Sequence, residues 1–255
     1  AYSLINDAKK PQVHLHVGRL LLENVSDKER EEQLFDIVNH LNQGIELIDE
    51  PALRFELAEL NLEASQKAIA SSAYGPAYTL IRVGLSLLPD DCWETHYTLS
   101  FDMYITALEA AHLKADFVQM QRWSQLVMNQ TAADLDKVRV HEVQIQAAMA
   151  QNKPSEAISI ALSALQLLGV VFPGEISKQD IEQQLQRSVE VIKQYSIENL
   201  LNLPEMKDPI DLAVMRIMNK IYSAAYISAP DLMVLVSCRL TLYSIEKGNT
   251  PISAF

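Results

Sequence analysis

The sequence predicts an all-α protein, an α-solenoid of antiparallel helix pairs, and three observations carry that reading. Apolar residues recur with a period near 3.6 along most of the chain, and no stretch alternates as a half-buried strand would. Small residues return where two helices must pack closely: Ala64, Ser65, Ala68, Ala77 and Gly84, with bulky Ile81 between the last two and Pro89 closing the unit. Seven glycines and 7% aromatics are too few for a sandwich or barrel, whereas the abundant Ala, Leu, Gln and Glu favour helix.

The pattern is clearest over 58–89 and returns near Met120 and Ala157. Its offsets follow the tetratricopeptide layout: small residues in the middle of both helices, a bulky knob, then a terminal proline. If Ala77, Met120 and Ala157 are equivalent, the repeat length is 43 and then 37 residues. True tetratricopeptides keep close to about 34, so the units are degenerate and the layout is tetratricopeptide-like. Such units stack into a surface rather than around a catalytic pocket.

Prolines parse the elements. Pro11, Pro51, Pro154, Pro209 and Pro230 each precede an apolar-periodic stretch, as a proline in a first helical turn does. The first helix is expected over 11–23, with Val13, Val17, Leu20 and Leu21 on its inner face. The second starts near Ser26, where Ser26 and Glu29 form a capping box, and ends at a left-handed Gly44. Helices over 51–70 and 73–88 make the best pair. Further helices follow over 93–113, 116–130, 133–151 and 154–168, the last two joined by the polar turn Asn152-Lys153.

After Gly169 the composition shifts. Segment 170–174 reads as an apolar linker docked on the preceding pair. A ninth helix over 178–194 spaces Ile181, Leu185, Val189 and Ile192 for one buried stripe. A short helix over 197–203 and a turn over 204–209 lead to two long helices, 210–227 and 231–247, with Asp208 as an N-cap. The expected organisation is a degenerate array over 1–169 and a continuing helical segment over 170–255, the two forming one domain or two.

The formal charge of −12 argues against nucleic acid and anionic membrane partners, both of which select clustered Lys and Arg. No apolar run reaches the length of about 20 residues that a membrane span requires, and no signal peptide is present, so a cytoplasmic location is expected. Cys92 and Cys238 build neither a disulfide framework nor a metal motif. Asn24 and Asn129 stand in glycosylation sequons, with nothing else to suggest secretion. The chain opens on Ala1 and is expected to be a piece of a longer polypeptide whose last helix continues past Phe255.

Motifs for chemistry are few. Asp90, Asp91 and Glu94 resemble the acidic cluster with which all-α prenyl-transfer enzymes hold magnesium, which would make an Mg-dependent enzyme. A capping box from Asp91 and Glu94 explains the same spacing. His141-Glu142 starts like a zinc-protease helix, but Ile145 replaces the second histidine. His14 and His16 cannot share a helical face, and His40, His96 and His112 stand isolated. Gly-rich phosphate loops and serine elbows are absent. The methionines Met103, Met120, Met128, Met215 and Met218 fall at core spacings. No cofactor or metal is expected.

One constellation points to binding. In a tetratricopeptide stack the first helix of each pair lines the concave groove. Aligning the repeats places Glu59 and Gln66, then Asp102, Glu109 and His112, then Arg139, Glu142 and Gln146 along it. A polar, mostly acidic strip suits an extended peptide or a basic helix; the same residues also suit an ordinary solvated face.

The phrases HLNQG (40–44), LAELNLEASQKAIASSAY (57–74), LDKVRVHEVQIQAAMAQNK (135–153), NLPEMKDP (202–209) and GNTPISAF (248–255) resemble a helical region of very large bacterial signalling proteins. Those proteins begin with a serine/threonine kinase domain, followed by an AAA/STAND-type ATPase module, this region, a GAF sensor and often a histidine kinase. The resemblance implies a non-catalytic regulatory arm that couples the ATPase or kinase to sensory output. Its partners would be neighbouring modules of the same chain, with a homo-oligomer also open. None of the family's catalytic motifs matches a position here. Two alternatives stand beside this reading: an independent peptide- or protein-binding scaffold, and the Mg-dependent enzyme on Asp90, Asp91 and Glu94.

Overall fold

A computed structural model of the protein describes residues 6–253, with Asp27 represented by its backbone. The chain divides into two compact units, Ala1–Gln130 and Thr131–Phe255. Both are helical, and among the described residues the β-pairing consists of one isolated bridge between Glu205 and Asn249.

In the first unit, α1 (Lys10–Asn24) packs against α2 (Asp27–Gln43). The capping box at the start of α2 is present, with Ser26 accepting from the Glu29 amide and the Glu29 carboxylate accepting from the Ser26 amide. The inner face of α1 differs from the expected one. His14, Leu15 and Gly18 are buried, while Val13 and Leu20 face solvent at 37% and 45% exposure. Gly18 decides the rotation, because a Cβ there would lie 2.7 Å from Leu41 Cδ2. Gly44 is likewise no left-handed cap, having φ −104°. A side chain there would meet Leu15 Cβ at 2.7 Å and the Pro11 carbonyl at 2.9 Å, so glycine serves close approach of α1.

Helices α3 (Pro51–Ala70) and α4 (Tyr74–Leu87) fold back on each other. Ala64, Ser65, Ala68, Ala77 and Gly84 are all buried between helices, as their size demands. The helix expected over 93–113 breaks at His96 into α5 (Cys92–Thr95) and α6 (Tyr97–Leu113). Asp91 makes no side-chain cap there. The break is held instead by Ser100 Oγ donating to the Cys92 carbonyl at 3.1 Å and by Trp93 stacking on Tyr104. Helix α6 rests on both α3 and α4, and α7 (Phe117–Gln130) folds back on α6.

The second unit repeats the arrangement. Helix α8 (Asp134–Ala150) pairs with α9 (Pro154–Leu167), and α12 (Pro209–Ser228) rests on both, as α6 rests on α3 and α4. Helix α13 (Pro230–Lys247) packs on α12. Their core joins Ile145, Ala157, Ala161, Val214, Ile217, Ile221 and Val236. Segment 170–174 docks through Val170 and Phe172, and Arg239 lies 5.3 Å over the Phe172 ring. Asp208 caps α12 by accepting from the Ile210 and Asp211 amides. All five first-turn prolines take the expected places.

Two expectations for this unit fail. Helix α10 (Lys178–Ile192) carries its apolar stripe outward: Leu185, Val189 and Ile192 are exposed, and only Ser188 is fully buried. Its main helix contact among the described residues is with α13, and most of its residues stay exposed. The last helix ends at Lys247, where Gly248 at φ 111° turns the chain back onto Pro204–Met206, below α11 (Ile197–Leu201).

Three turns share one geometry. Ser72, Ala115 and Asn152 adopt left-handed conformations at φ 60°, 62° and 57°. After each, an amide reaches back five residues: Ala73 to Ala68, Asp116 to Ala111 and Lys153 to Ala148, at 2.8–2.9 Å. These are Schellman turns. The helices that follow, α4, α7 and α9, are each 14 residues long. They bury equivalent positions: Ala77, Met120 and Ala157; Ile81, Ser124 and Ala161; Gly84, Val127 and Ala164.

Candidate protein-binding surface

The expected groove residues fall in both units and are described within each. In the first, Glu59 and Gln66 are exposed on α3, while Asp102, Glu109 and His112 are half-buried on α6. The two helices touch, and Gln66 Nε2 donates to Thr106 Oγ1 at 3.4 Å. His112 belongs to the packing more than to the surface. Its Nδ1 is buried without a hydrogen-bond partner among the described residues, its ring lies 6.4 Å from Phe117, and burial holds its pKa below the usual imidazole value. In the second unit Arg139 and Gln146 are exposed on α8, and Glu142 is paired with Arg216 of α12 at 2.9 Å. Glu142 therefore fixes α12 to α8.

The remaining titratable groups are structural in their surroundings. His40 is not isolated: its Nδ1 lies 2.9 Å from His14 Nδ1, joining α1 and α2. One ring must donate and the other accept, and burial followed by the neighbouring His40 and Lys10 lowers the His14 pKa. The His96 ring lies tilted against Phe55 with ring centroids 4.4 Å apart. His141 Nδ1 lies 3.0 Å from Gln144 Oε1. Asp90, Asp91 and Glu94 are exposed. Among the described residues, no group of three or more His, Cys, Asp or Glu is placed to hold a metal ion. Cys92 and Cys238 are free and buried.

The first unit has a cleft that includes none of the expected groove residues. An apolar cleft of about 550 Å³ is lined by Pro51, Ala52, Arg54, Phe55, Leu87, Leu88, Pro89 and His96. Sequence reasoning took these residues as helix ends and missed them as a site. The signal that marks them is repeat length. The connection before α6 spans nine residues, 88–96, and that before α8 spans three, 131–133. That six-residue difference is the whole difference between the 43- and 37-residue spacings, and the longer connection supplies part of the cleft wall.

Comparison with known proteins gives one distant likeness. Over 285 aligned residues the chain is 20% identical to "Hybrid signal transduction histidine kinase G" of Dictyostelium discoideum; the match takes in 96% of this chain and 8% of that protein. The chain thus spans a small fraction of the length of the relative it resembles. No family profile and no solved structure matches it. No described helix is long and apolar enough to cross a membrane.

Proposed function

We propose that this chain is a non-catalytic, tetratricopeptide-like α-solenoid segment that couples modules of a larger signal-transduction kinase by protein–protein contact. The observation that carries the reading is the thrice-repeated hairpin, with the same left-handed turn, the same 14-residue second helix and the same buried positions. Stacks of that kind bury a continuous core and present their remaining faces to partners. The likeness to a hybrid histidine kinase along nearly the whole chain supports a place within a signalling protein. The resembled architecture supplies the neighbours: an ATPase or serine/threonine kinase module on one side and sensory and output modules on the other. The chain works without cofactor or metal, in the cytoplasm, and its partners are protein rather than nucleic acid or membrane, consistent with the charge of −12.

The test is proximity within the parent protein. Photo-cross-linkers at Glu59, Gln66, Arg139 and Gln146 are expected to capture the adjoining ATPase or kinase module, with yields that change on nucleotide addition. Capture of a separate polypeptide instead, insensitive to nucleotide, would make the chain an independent scaffold. ATP hydrolysis or autophosphorylation by the isolated chain would overturn the non-catalytic reading.

A further inference from the structure

The open end of the α3–α4 hairpin, opposite the Ser72 turn, combines an apolar floor with exposed carboxylates that adjoin its lining residues along the chain and outnumber the nearby cations. Phe55, Leu87 and Leu88 form the floor, Pro51 and Pro89 its edges, and the His96 ring lies against Phe55. Each chain segment that builds the cleft carries exposed carboxylates directly beside it: Asp49 and Glu50 before Pro51, Asp90 and Asp91 after Pro89, and Glu94 two residues before His96. Against these five stand two cations. Arg19 is paired with Glu50 at 2.8 Å, and Arg54, which lines the cleft and keeps its charge, donates to the Ile48 carbonyl, so the surround stays net acidic. Asp49, Asp90, Asp91 and Glu94 make no hydrogen bond or ion pair through their side chains among the described residues.

We propose that this cleft is a docking site for a short basic peptide segment with an apolar anchor. An apolar side chain of such a segment would displace water from Phe55, Leu87 and Leu88, while flanking Lys or Arg side chains meet the adjoining carboxylates. Anionic ligands are repelled by the same carboxylates, which excludes nucleic acid and acidic lipid. The site shares no residue with the polar strip of Glu59, Gln66, Asp102, Glu109 and His112, so it stands whether or not that strip binds a partner. It also gives the acidic Asp90–Glu94 cluster a role that neither capping nor metal binding supplies.

Fluorescence polarisation of labelled peptides with the intact chain tests this. The probe has a Leu-Phe-Leu-Leu centre with lysines on both sides; controls replace lysine by glutamine, lysine by glutamate, or the apolar centre by serine. The lysine peptide with its apolar centre is expected to bind at least about tenfold more tightly than every control. It should also weaken as salt rises from about 50 to about 300 mM. Asp90→Asn/Asp91→Asn/Glu94→Gln and, separately, Ala52→Trp, which fills the cleft from an exposed position, should each weaken binding about tenfold. Glu175→Gln/Glu182→Gln/Glu190→Gln, which removes equal charge from the second unit, should leave it unchanged. Equal loss in both charge-removal variants, or undiminished binding to Ala52→Trp with a native melting profile, would overturn the assignment and reduce the binding to general attraction by net charge.

Discussion

Asn42 and Asn61 clasp each other by a reciprocal pair of side-chain amide bonds across the α2–α3 contact, at 2.8 and 2.9 Å. Asn61 is fully buried and its Nδ2 also donates to the Leu57 carbonyl at 2.8 Å. A buried amide is tolerated only where its bonds are made, so the pair fixes the register of α2 on α3. Asn61→Ala strands the Asn42 amide and should cost about 1–3 kcal/mol in urea unfolding. Asn42→Leu/Asn61→Leu should be less destabilised than the two single losses added together. Strict additivity would show that the pair is not coupled.

Tyr78 ties α4 to the α6–α7 turn, its hydroxyl donating to Asp116 Oδ2 at 2.7 Å while Asp116 Oδ1 accepts from the Gln119 amide. The Tyr78 hydroxyl, then the Gln119 amide, lowers the Asp116 pKa; burial, then Asp116, raises that of Tyr78. A lowered carboxyl pKa gives stability that is present above the ordinary carboxylate value and lost as pH falls through the folded one. A raised phenol pKa gives stability present below the ordinary phenol value and lost as pH rises through the folded one. Tyr78→Phe should therefore cost about 1 kcal/mol, reduced by solvent exposure of the carboxylate. The gap should be widest between about pH 5 and pH 9 and narrow on either side. A gap independent of pH in chemical unfolding would contradict this.

Gly44→Ala should destabilise by about 1–3 kcal/mol, although φ −104° suits any residue. The added methyl has backbone and Cβ atoms of α1 within 3 Å and no flexible chain end to push aside. If thermal melting shows no loss, α1 is free to move away from α2 and the packing described for it is loose.

Ala115→Gly should stabilise by about 1 kcal/mol, because alanine at φ 62° carries a steric penalty that glycine lacks and its exposed side chain loses no packing. Asn152→Gly should gain less, since asparagine tolerates the left-handed region. The order of the two gains in denaturant unfolding is the discriminating result.

Much of the fold was legible in the residues. Five prolines marked helix starts, and the equivalence of Ala77, Met120 and Ala157 held in register through buried Ile81, Ser124 and Ala161. What failed was facing. In α1 and α10 the apolar residues sit on one face and the neighbours on another, because Gly18 admits Leu41 and because α10 has its main helix contact with α13. Periodicity reports which residues could share a face, not which face a neighbour covers. The break at His96 was hidden because no proline or glycine marks it, and it was this segment that framed the cleft.

The Schellman turns have a kinetic consequence. Each closes a hairpin through main-chain bonds spanning only six residues, so little chain entropy is lost before the first inter-helix contacts form. Short loops of this kind lower contact order, which favours rapid, local nucleation at any of the three hairpins. Folding can thus begin at several places along the polypeptide and spread outward to its neighbours.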